Sequence, residues 1–509
     1  MKTQSLVRAP ARVAIVMAAA IGAAALLVPA PAAAQIETVT VGIEPLTTLD
    51  PGKGRATRGD LAISSQIYSS LTSVNEDGTL VGDLALSWEQ TAPTEWTFNL
   101  RDDAFFADGS PVDANVVAWN LDRMLKGPDA PMPAATGMRL IAEVTAKDAK
   151  TVVFTTSEPF LDLPRRLAWT YFIEPKWAEE HDPSTEAMGS GPYTLVSWDP
   201  AGDVVLKLNE NYYGPKPAIP NATYRVIPNE ATRLAALRGG ELDAAFGIDP
   251  LSVGQLQAED SLSVGAIDAN KMQTMRINFG APHMDDLRVR QAINYAIDKD
   301  AITKSVYAGL VGPGSTQILG PLYDGFEANR EAWPYDPEKA RALLAEAGLS
   351  DGITIRLGTA ETGYVGAAQA TQAIAAQLGQ VGIKAEIETI PYANWVRYLR
   401  DPEGPALTFI AWGSQSVSTP EILAQLVTGA PYAIGPVPAA YDAAVAAATG
   451  AADEATKLAE IAKALQVTED EAMTVFLWAQ PQTYAISRKL DWKVRMDDWV
   501  RVYDIHPAQ

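Results

Sequence analysis

Val39, Val41 and Ile43 alternate with other residues near the start of the chain, a period of two that predicts a strand with one buried face. The turn-rich Leu46-Thr47-Thr48-Leu49-Asp50-Pro51-Gly52 follows. Ile63, Ile67 and Leu71 then fall at helical spacing, with Asp60 placed as an N-cap. The next stretch reads as β-rich, because Trp96, Phe98 and Leu100 alternate, as do Val152 and Phe154, with Pro and Gly between them. Strands resume after Pro192, carrying Val204, Leu206 and Leu208, then Tyr224 and Val226. A short helix with Leu234 and Leu237 ends at Gly239-Gly240, a C-terminal glycine signal. Val289, Ala292, Ile293, Ala296 and Ile297 trace one face of a helix capped by Asp285 or Asp286. Asp336-Pro337-Glu338 opens another, which closes at Gly348.

Residues 352–412 carry the strongest fold signal. Ile353, Ile355 and Leu357 alternate, 364–380 is rich in Ala and Gln, and Ile383, Ala385 and Ile387 alternate again. Residues 392–400 read as a helix, and Leu407 to Trp412 is an apolar strand. A β-α-β-α-β unit predicts a parallel sheet with right-handed crossovers. Ligands of such sheets bind beyond the carboxyl ends of the strands, here at Trp412-Gly413-Ser414-Gln415. The Ala-rich stretch 438–460 reads as a surface helix. No internal repeat is present.

Composition narrows the chemistry. The chain has 509 residues, 40 Lys+Arg against 62 Asp+Glu, three histidines and no cysteine. This length predicts several domains. The formal charge of −22 argues against nonspecific nucleic-acid binding, which needs cations against phosphate. Absent cysteine excludes disulfides, thiol nucleophiles and Cys-based metal sites. His181, His283 and His506 lie far apart, and there is no H-E-x-x-H, G-x-S-x-G or P-loop motif. Asn75-Glu76-Asp77-Gly78 has turn chemistry rather than calcium-loop spacing. Asp102-Asp103 and Asp285-Asp286 are adjacent in sequence, so capping or solvated roles fit them better than paired catalysis. A secreted hydrolase with a carboxylate pair is therefore disfavoured.

The N-terminus has the layout of an export signal. Lys2, Arg8 and Arg12 precede an apolar run from Val13 to Val28, and Ala32-Ala33-Ala34 before Gln35 fits a small-residue cleavage site. The run is shorter than a membrane span and is followed by Pro29 and Pro31. Residues 1–34 are expected to be a cleavable signal peptide. Its loss would enlarge the acid excess by three charges. A bacterial lipoprotein needs a cysteine at the cleavage site, so a freely diffusing periplasmic protein is expected.

The order of short motifs completes the reading. Leu49-Asp50-Pro51 comes first, followed by Asp83-Leu84-Ala85-Leu86-Ser87-Trp88 and Trp96-Thr97-Phe98-Asn99-Leu100-Arg101. Phe106-Ala107-Asp108-Gly109-Ser110-Pro111-Val112, Gly189-Ser190-Gly191-Pro192-Tyr193 and Arg238-Gly239-Gly240-Glu241-Leu242-Asp243 come next. Asp286-Leu287-Arg288-Val289-Arg290-Gln291-Ala292 with Ala296-Ile297-Asp298, and Tyr335-Asp336-Pro337-Glu338-Lys339-Ala340, close the series. In this order the chain resembles the family 5 extracellular solute-binding proteins of ABC importers, which include oligopeptide, dipeptide and nickel binders.

The resemblance implies an α/β fold, a two-lobed type II periplasmic-binding-protein clamshell with an additional small β-rich domain. Lobe I would combine 35–73, 188–270 and 481–509. The extra domain would be 74–187, and 271–480 the second ligand-binding lobe. It implies capture of a small solute, peptide or peptide-like, with delivery to ABC permease and ATPase subunits. No cofactor, metal or catalysis is implied, and a monomer is expected. The alternative is a non-peptide organic solute such as a carboxylate, opine or sugar derivative. Nickel through a chelator fits poorly with three histidines. A loaded clamshell that engages a receptor remains a third class.

Peptide binders of the family carry an aspartate three residues past the strand-end tryptophan, which pairs with the peptide ammonium. Here Trp412 is followed by Gly413, Ser414 and Gln415, and 413–419 contains no acid. An unpaired buried ammonium would cost several kcal/mol. The second pocket segment follows Leu49-Asp50-Pro51, which puts Arg55 and Thr57 where the family touches its ligand. Arginine binds carboxylates through two parallel hydrogen bonds. The expected site is therefore Arg55, Thr57, Trp412, Gly413, Ser414 and Gln415, with Trp412 as a wall and Arg55 facing a solute carboxylate.

Overall fold

The computed structural model describes residues 36–508, apart from 44, 55–57, 136, 201, 414–416, 431, 434 and 498. For Arg58, Tyr392, Ala393 and Val396 only the backbone is described. The expected signal peptide, 1–34, lies outside the described residues, as do Arg55, Thr57, Ser414 and Gln415.

The largest sheet has ten strands. In chain order they are β1 Thr38–Ile43, β2 Tyr193–Trp198, β3 Asp203–Leu208, β4 Asn221–Val226, β5 Ala244–Phe246, β6 Leu262–Ile277, β7 Ile353–Ala360, β8 Ile383–Ile390, β9 Leu407–Trp412 and β10 Thr474–Ser487. Side by side they run β8-β7-β9-β6-β10-β5-β1-β4-β3-β2. The two long strands β6 and β10 are antiparallel and join the halves of this sheet. Leu262–Asp268 of β6 pairs with Pro481–Ser487 of β10, which is flanked there by β5. Met272–Arg276 pairs with Thr474–Ala479, and on the other side Met272–Ile277 pairs with β9. The register slips between Asp268 and Met272. Such an irregularity bends a strand, and here it falls where the chain passes from one half to the other.

The predicted β-α-β-α-β unit is present. β7 runs parallel to β8 and to β9, with helices Ala367–Gln380 and Tyr392–Leu399 as the crossovers. The carboxyl ends Ala360, Ile390 and Trp412 therefore share one edge. One core of this half gathers Ile293, Leu357, Ile374, Leu407, Phe409 and Trp478. Another gathers Trp412, Ile422, Leu423, Tyr441, Ile461 and Phe476. The first half has its own core around Val39, Val41, Ile63, Tyr193, Tyr224 and Val500.

Ala85–Ala92, Glu95–Leu100, Thr151–Thr156 and Ile141–Asp148 form, in that order, a separate antiparallel sheet. Phe98 meets Phe154 edge-on at 5.2 Å within its core. This region contains a helix that the β-rich reading left out, Ala114–Lys126. Asp113 caps it by accepting from the amides of Asn115 and Val116, and Val117, Leu121 and Met124 are buried.

Three further expectations change. The helix expected to start after Asp60 begins at Arg58 and ends at Ile67, so Asp60 lies inside its first turn and Leu71 lies beyond its end. Residues 438–460 are not one surface helix. They fold into Ala439–Thr449 and the start of Glu454–Asp470, and Tyr441, Val445, Ile461 and Leu465 are buried. Asp286, not Asp285, caps Leu287–Tyr295. The other caps stand as read: Asp336 caps Pro337–Glu346, and Gly348 adopts φ +78° after it.

Candidate functional site

The described residues on either side of 55–57 are held by named contacts. Asp50 is only 1% exposed. Its carboxylate accepts from the Gly52 amide at 2.9 Å and from both terminal nitrogens of Arg123, one of them at 3.1 Å. Two parallel charge-assisted bonds of this kind fix orientation as well as position. The Asp50 carbonyl accepts from the amides of Lys53 and Gly54. Tyr68 donates its hydroxyl hydrogen to the Leu49 carbonyl at 2.8 Å. A Cβ at Gly52 would stand 2.7 Å from Met132 Sδ, so the turn has no room for a side chain. On the far side, the Thr47 amide and hydroxyl both donate to Asp60 Oδ1 at 2.9 Å. Lys53 reaches out to Asp129 at 2.8 Å, and this hydrogen bond raises the pKa of its ammonium.

The second loop leaves the carboxyl end of β9. Trp412 is 2% exposed, donates its indole N–H to Thr274 Oγ1 at 2.9 Å and meets Tyr432 edge-on. Its ring thus belongs to the core that supports the loop. A Cβ at Gly413 would lie 2.4 Å from Lys271 Cγ, so glycine lets the Lys271 stem cross the backbone. The buried Val417 closes the loop at φ +51°. That is a costly conformation for a β-branched residue and persists only where surrounding structure enforces it. Ser418 then caps helix Thr419–Leu423 and donates its hydroxyl hydrogen to Asp162 of the other half of the chain.

Trp169 was not singled out in the sequence. It packs against the core around Val39 and also against the core around Trp412. It meets Trp499 edge-on at 5.7 Å. Its indole N–H is buried and finds no hydrogen-bond partner among the described residues. Only the fold reveals this placement, because a tryptophan has no sequence signature for contact with two cores.

A cavity of about 770 Å³ opens at Ile390 and Pro391 on the carboxyl edge, with Asn394, Arg397, Tyr398 and Arg400 along its wall. All of its lining comes from 390–401, so it is a groove on one half rather than a two-sided clamp.

The described residues include no group of three His, Asp or Glu side chains placed to hold a metal ion. Asp102 and Asp103 turn away from each other, to Lys150 at 2.7 Å and Arg101 at 2.6 Å. The helices among the described residues are all too short or too polar to cross a membrane.

Comparison with known proteins defines the class. The fold matches solved two-lobed type II periplasmic binding proteins. One is DppA from Helicobacter pylori in complex with the peptide STSA, with a TM-score of 0.78 and 21% identity over 93% of this chain and 98% of that one. Another is MoaA from A. tumefaciens R10 in complex with mannopinic acid, with a TM-score of 0.76 and 25% identity over 93% and 100%. Over 375 residues, 72% of each chain, the sequence is 31% identical to the glutathione-binding protein GsiB of Salmonella paratyphi A. Residues 79–433 match the model of the bacterial extracellular solute-binding proteins, family 5 Middle. The chain belongs to this family, and it is the solute-binding component of an ABC importer. Members of the family are binding proteins rather than enzymes, and they act outside the cytoplasmic membrane with an ABC permease.

Proposed function

We propose that the chain captures a small peptide-like solute bearing a carboxylate, held between the loop 50–60 and the loop 412–419. The observation that carries this is the 31% identity to a glutathione-binding protein. Glutathione is a short peptide with more than one carboxylate. Arg55 would take a carboxylate, with Thr57, Gly413, Ser414 and Gln415 supplying neutral polar contacts. Gln415 in place of an acid removes the usual partner for an α-ammonium, so acceptor groups of the solute weigh more than its amine. Trp412 backs the second loop, and the free Trp169 N–H offers one more donor. The domain division remains 35–73, 188–270 and 481–509 against 271–480, with 74–187 as the small domain.

Export with cleavage before Gln35, no lipid anchor and a monomeric state complete the proposal. Mass determination of the exported protein tests the first two, and light scattering tests the third.

The solute is tested by titration calorimetry with glutathione, a neutral-blocked dipeptide and mannopinic acid. Glutathione or another carboxylate-bearing peptide should bind, and amidation of its carboxylates should abolish binding. Tight binding of mannopinic acid alone would move the assignment to opines. Binding that survives amidation would remove the role of Arg55.

A further inference from the structure

The two halves meet through charged and polar side chains. The short helix Leu163–Arg166 belongs to the core of the small sheet, where Leu163 and Leu167 are buried. Its polar groups face the other half. Asp162 Oδ1 lies 3.0 Å from Lys457 Nζ, while Oδ2 accepts from Ser418. Arg166 lies 2.9 Å from Glu421, and Arg165 lies 3.9 Å from Asp324. The opposing groups sit on or beside helices Thr419–Leu423 and Glu454–Asp470, whose Ile422, Leu423, Ile461 and Leu465 build the core around Trp412.

The arrangement is asymmetric. Lys457 also reaches Asp324 at 3.2 Å and Glu454 at 2.9 Å. Both are on its own side. If the halves part, Lys457 keeps two carboxylates, and Asp162 is returned to water. Opening therefore leaves the Lys457 ammonium paired and avoids, at this residue, the stranded buried charge that makes breaking an ion pair expensive. In this arrangement burial acts to lower the pKa of the Lys457 ammonium, but Asp162, Asp324 and Glu454 together outweigh it and raise it. The group stays charged.

We propose that Asp162 and Lys457, supported by Arg166–Glu421, form a catch that favours the closed clamshell without solute. They are positioning residues for binding and need not touch the solute. A solute that binds only one form has an apparent affinity scaled by the population of that form. The catch therefore sets affinity from outside the pocket. Weakening it should loosen binding of every solute by a similar factor and leave their ranking unchanged.

The test needs no solute, so its failure is separate from failure of the solute assignment. The chain has no cysteine, so Glu89→Cys with Ala462→Cys places two spin labels and no others, at exposed positions on the small sheet and on Glu454–Asp470. Pulsed dipolar distances are recorded on protein refolded free of solute. A short-distance population is expected, reduced at least threefold by Asp162→Lys and by Lys457→Met and reduced less by Asp162→Asn, which keeps a hydrogen-bonding group but loses the charge. If Lys457→Met does not fold, Asp162→Lys decides, since the Asp162 side chain makes no cap hydrogen bond to its own helix. The same distribution in Asp162→Lys as in the parent, or a parent with the long distance alone, would overturn the proposal.

Discussion

The Asp162 carboxylate and the Lys457 ammonium lie 3.0 Å apart although 295 positions separate them in the chain. The loop 412–419 is tied to the same carboxylate through Ser418. The contact between the halves and the position of Ser418 are thus coupled at one side chain.

The Asp50–Arg123 pair anchors the other loop. Arg123→Met leaves a carboxylate that is 1% exposed with only the Gly52 amide, and loss of a buried partner costs about 3 kcal/mol. Urea unfolding should show a loss of that order. Solute binding should weaken as well, because the segment ahead of Arg55 loses its clamp. Arg123→Lys keeps the charge without the two-pronged geometry and should fall between. A wild-type unfolding midpoint for Arg123→Met would remove the clamp from the account.

Gly413 tests the second loop. An added methyl group meets Lys271 Cγ at 2.4 Å, and Lys271 or the loop must move to admit it. Gly413→Ala should weaken solute binding about tenfold, which corresponds to about 1.4 kcal/mol. Its thermal unfolding should change little, since the strain falls on a loop. Equal affinity for Gly413→Ala and wild type would show that this loop position does not shape the pocket.

The sequence carried the outline of the fold where one face of an element is buried and the other is wet. The β7-β8-β9 unit was legible because Ile353, Ile355 and Leu357 alternate, as do Ile383, Ala385 and Ile387. The joining strands β6 and β10 were not. Met272–Ile277 is buried on both faces and holds polar residues in the core, so no period of two survives. Gln273 accepts from Tyr307 and Trp478, and Arg276 donates to the Leu399 carbonyl and to Thr408. Such partners are set by the fold and cannot be read from spacing. Helix Ala114–Lys126 did leave a trace, with Asp113 before Val117, Leu121 and Met124, but strand signals on both sides obscured it. Of the candidate site, the two segments were proposed from motif order alone. Trp169 and the Asp162–Lys457 contact arise only when distant segments meet.

Lys299 gives a pH dependence with a definite sign. It is buried at the start of helix Lys299–Val306, and its ammonium finds no hydrogen-bond partner among the described residues. Burial pulls its pKa down to about 7 from the ordinary 10.5. Between these values the unfolded chain holds one more proton than the folded one, so this group makes stability rise with pH across that window. The contribution is lost as pH falls toward 7. Lys299→Met should stabilise the protein at pH 7 by on the order of 4 kcal/mol and flatten the rise between pH 7 and 10. An unchanged slope in denaturant titrations across that range would contradict the assignment.

The central claim is that the chain binds a carboxylate-bearing, peptide-like solute through Arg55. Titration calorimetry of the refolded, solute-free protein with glutathione, run beside Arg55→Ala, tests it most directly. The account predicts saturable binding with one solute per chain, weakened at least tenfold in Arg55→Ala while the unfolding midpoint is unchanged. Full affinity in Arg55→Ala, or no heat with glutathione where an uncharged peptide binds tightly, would contradict it.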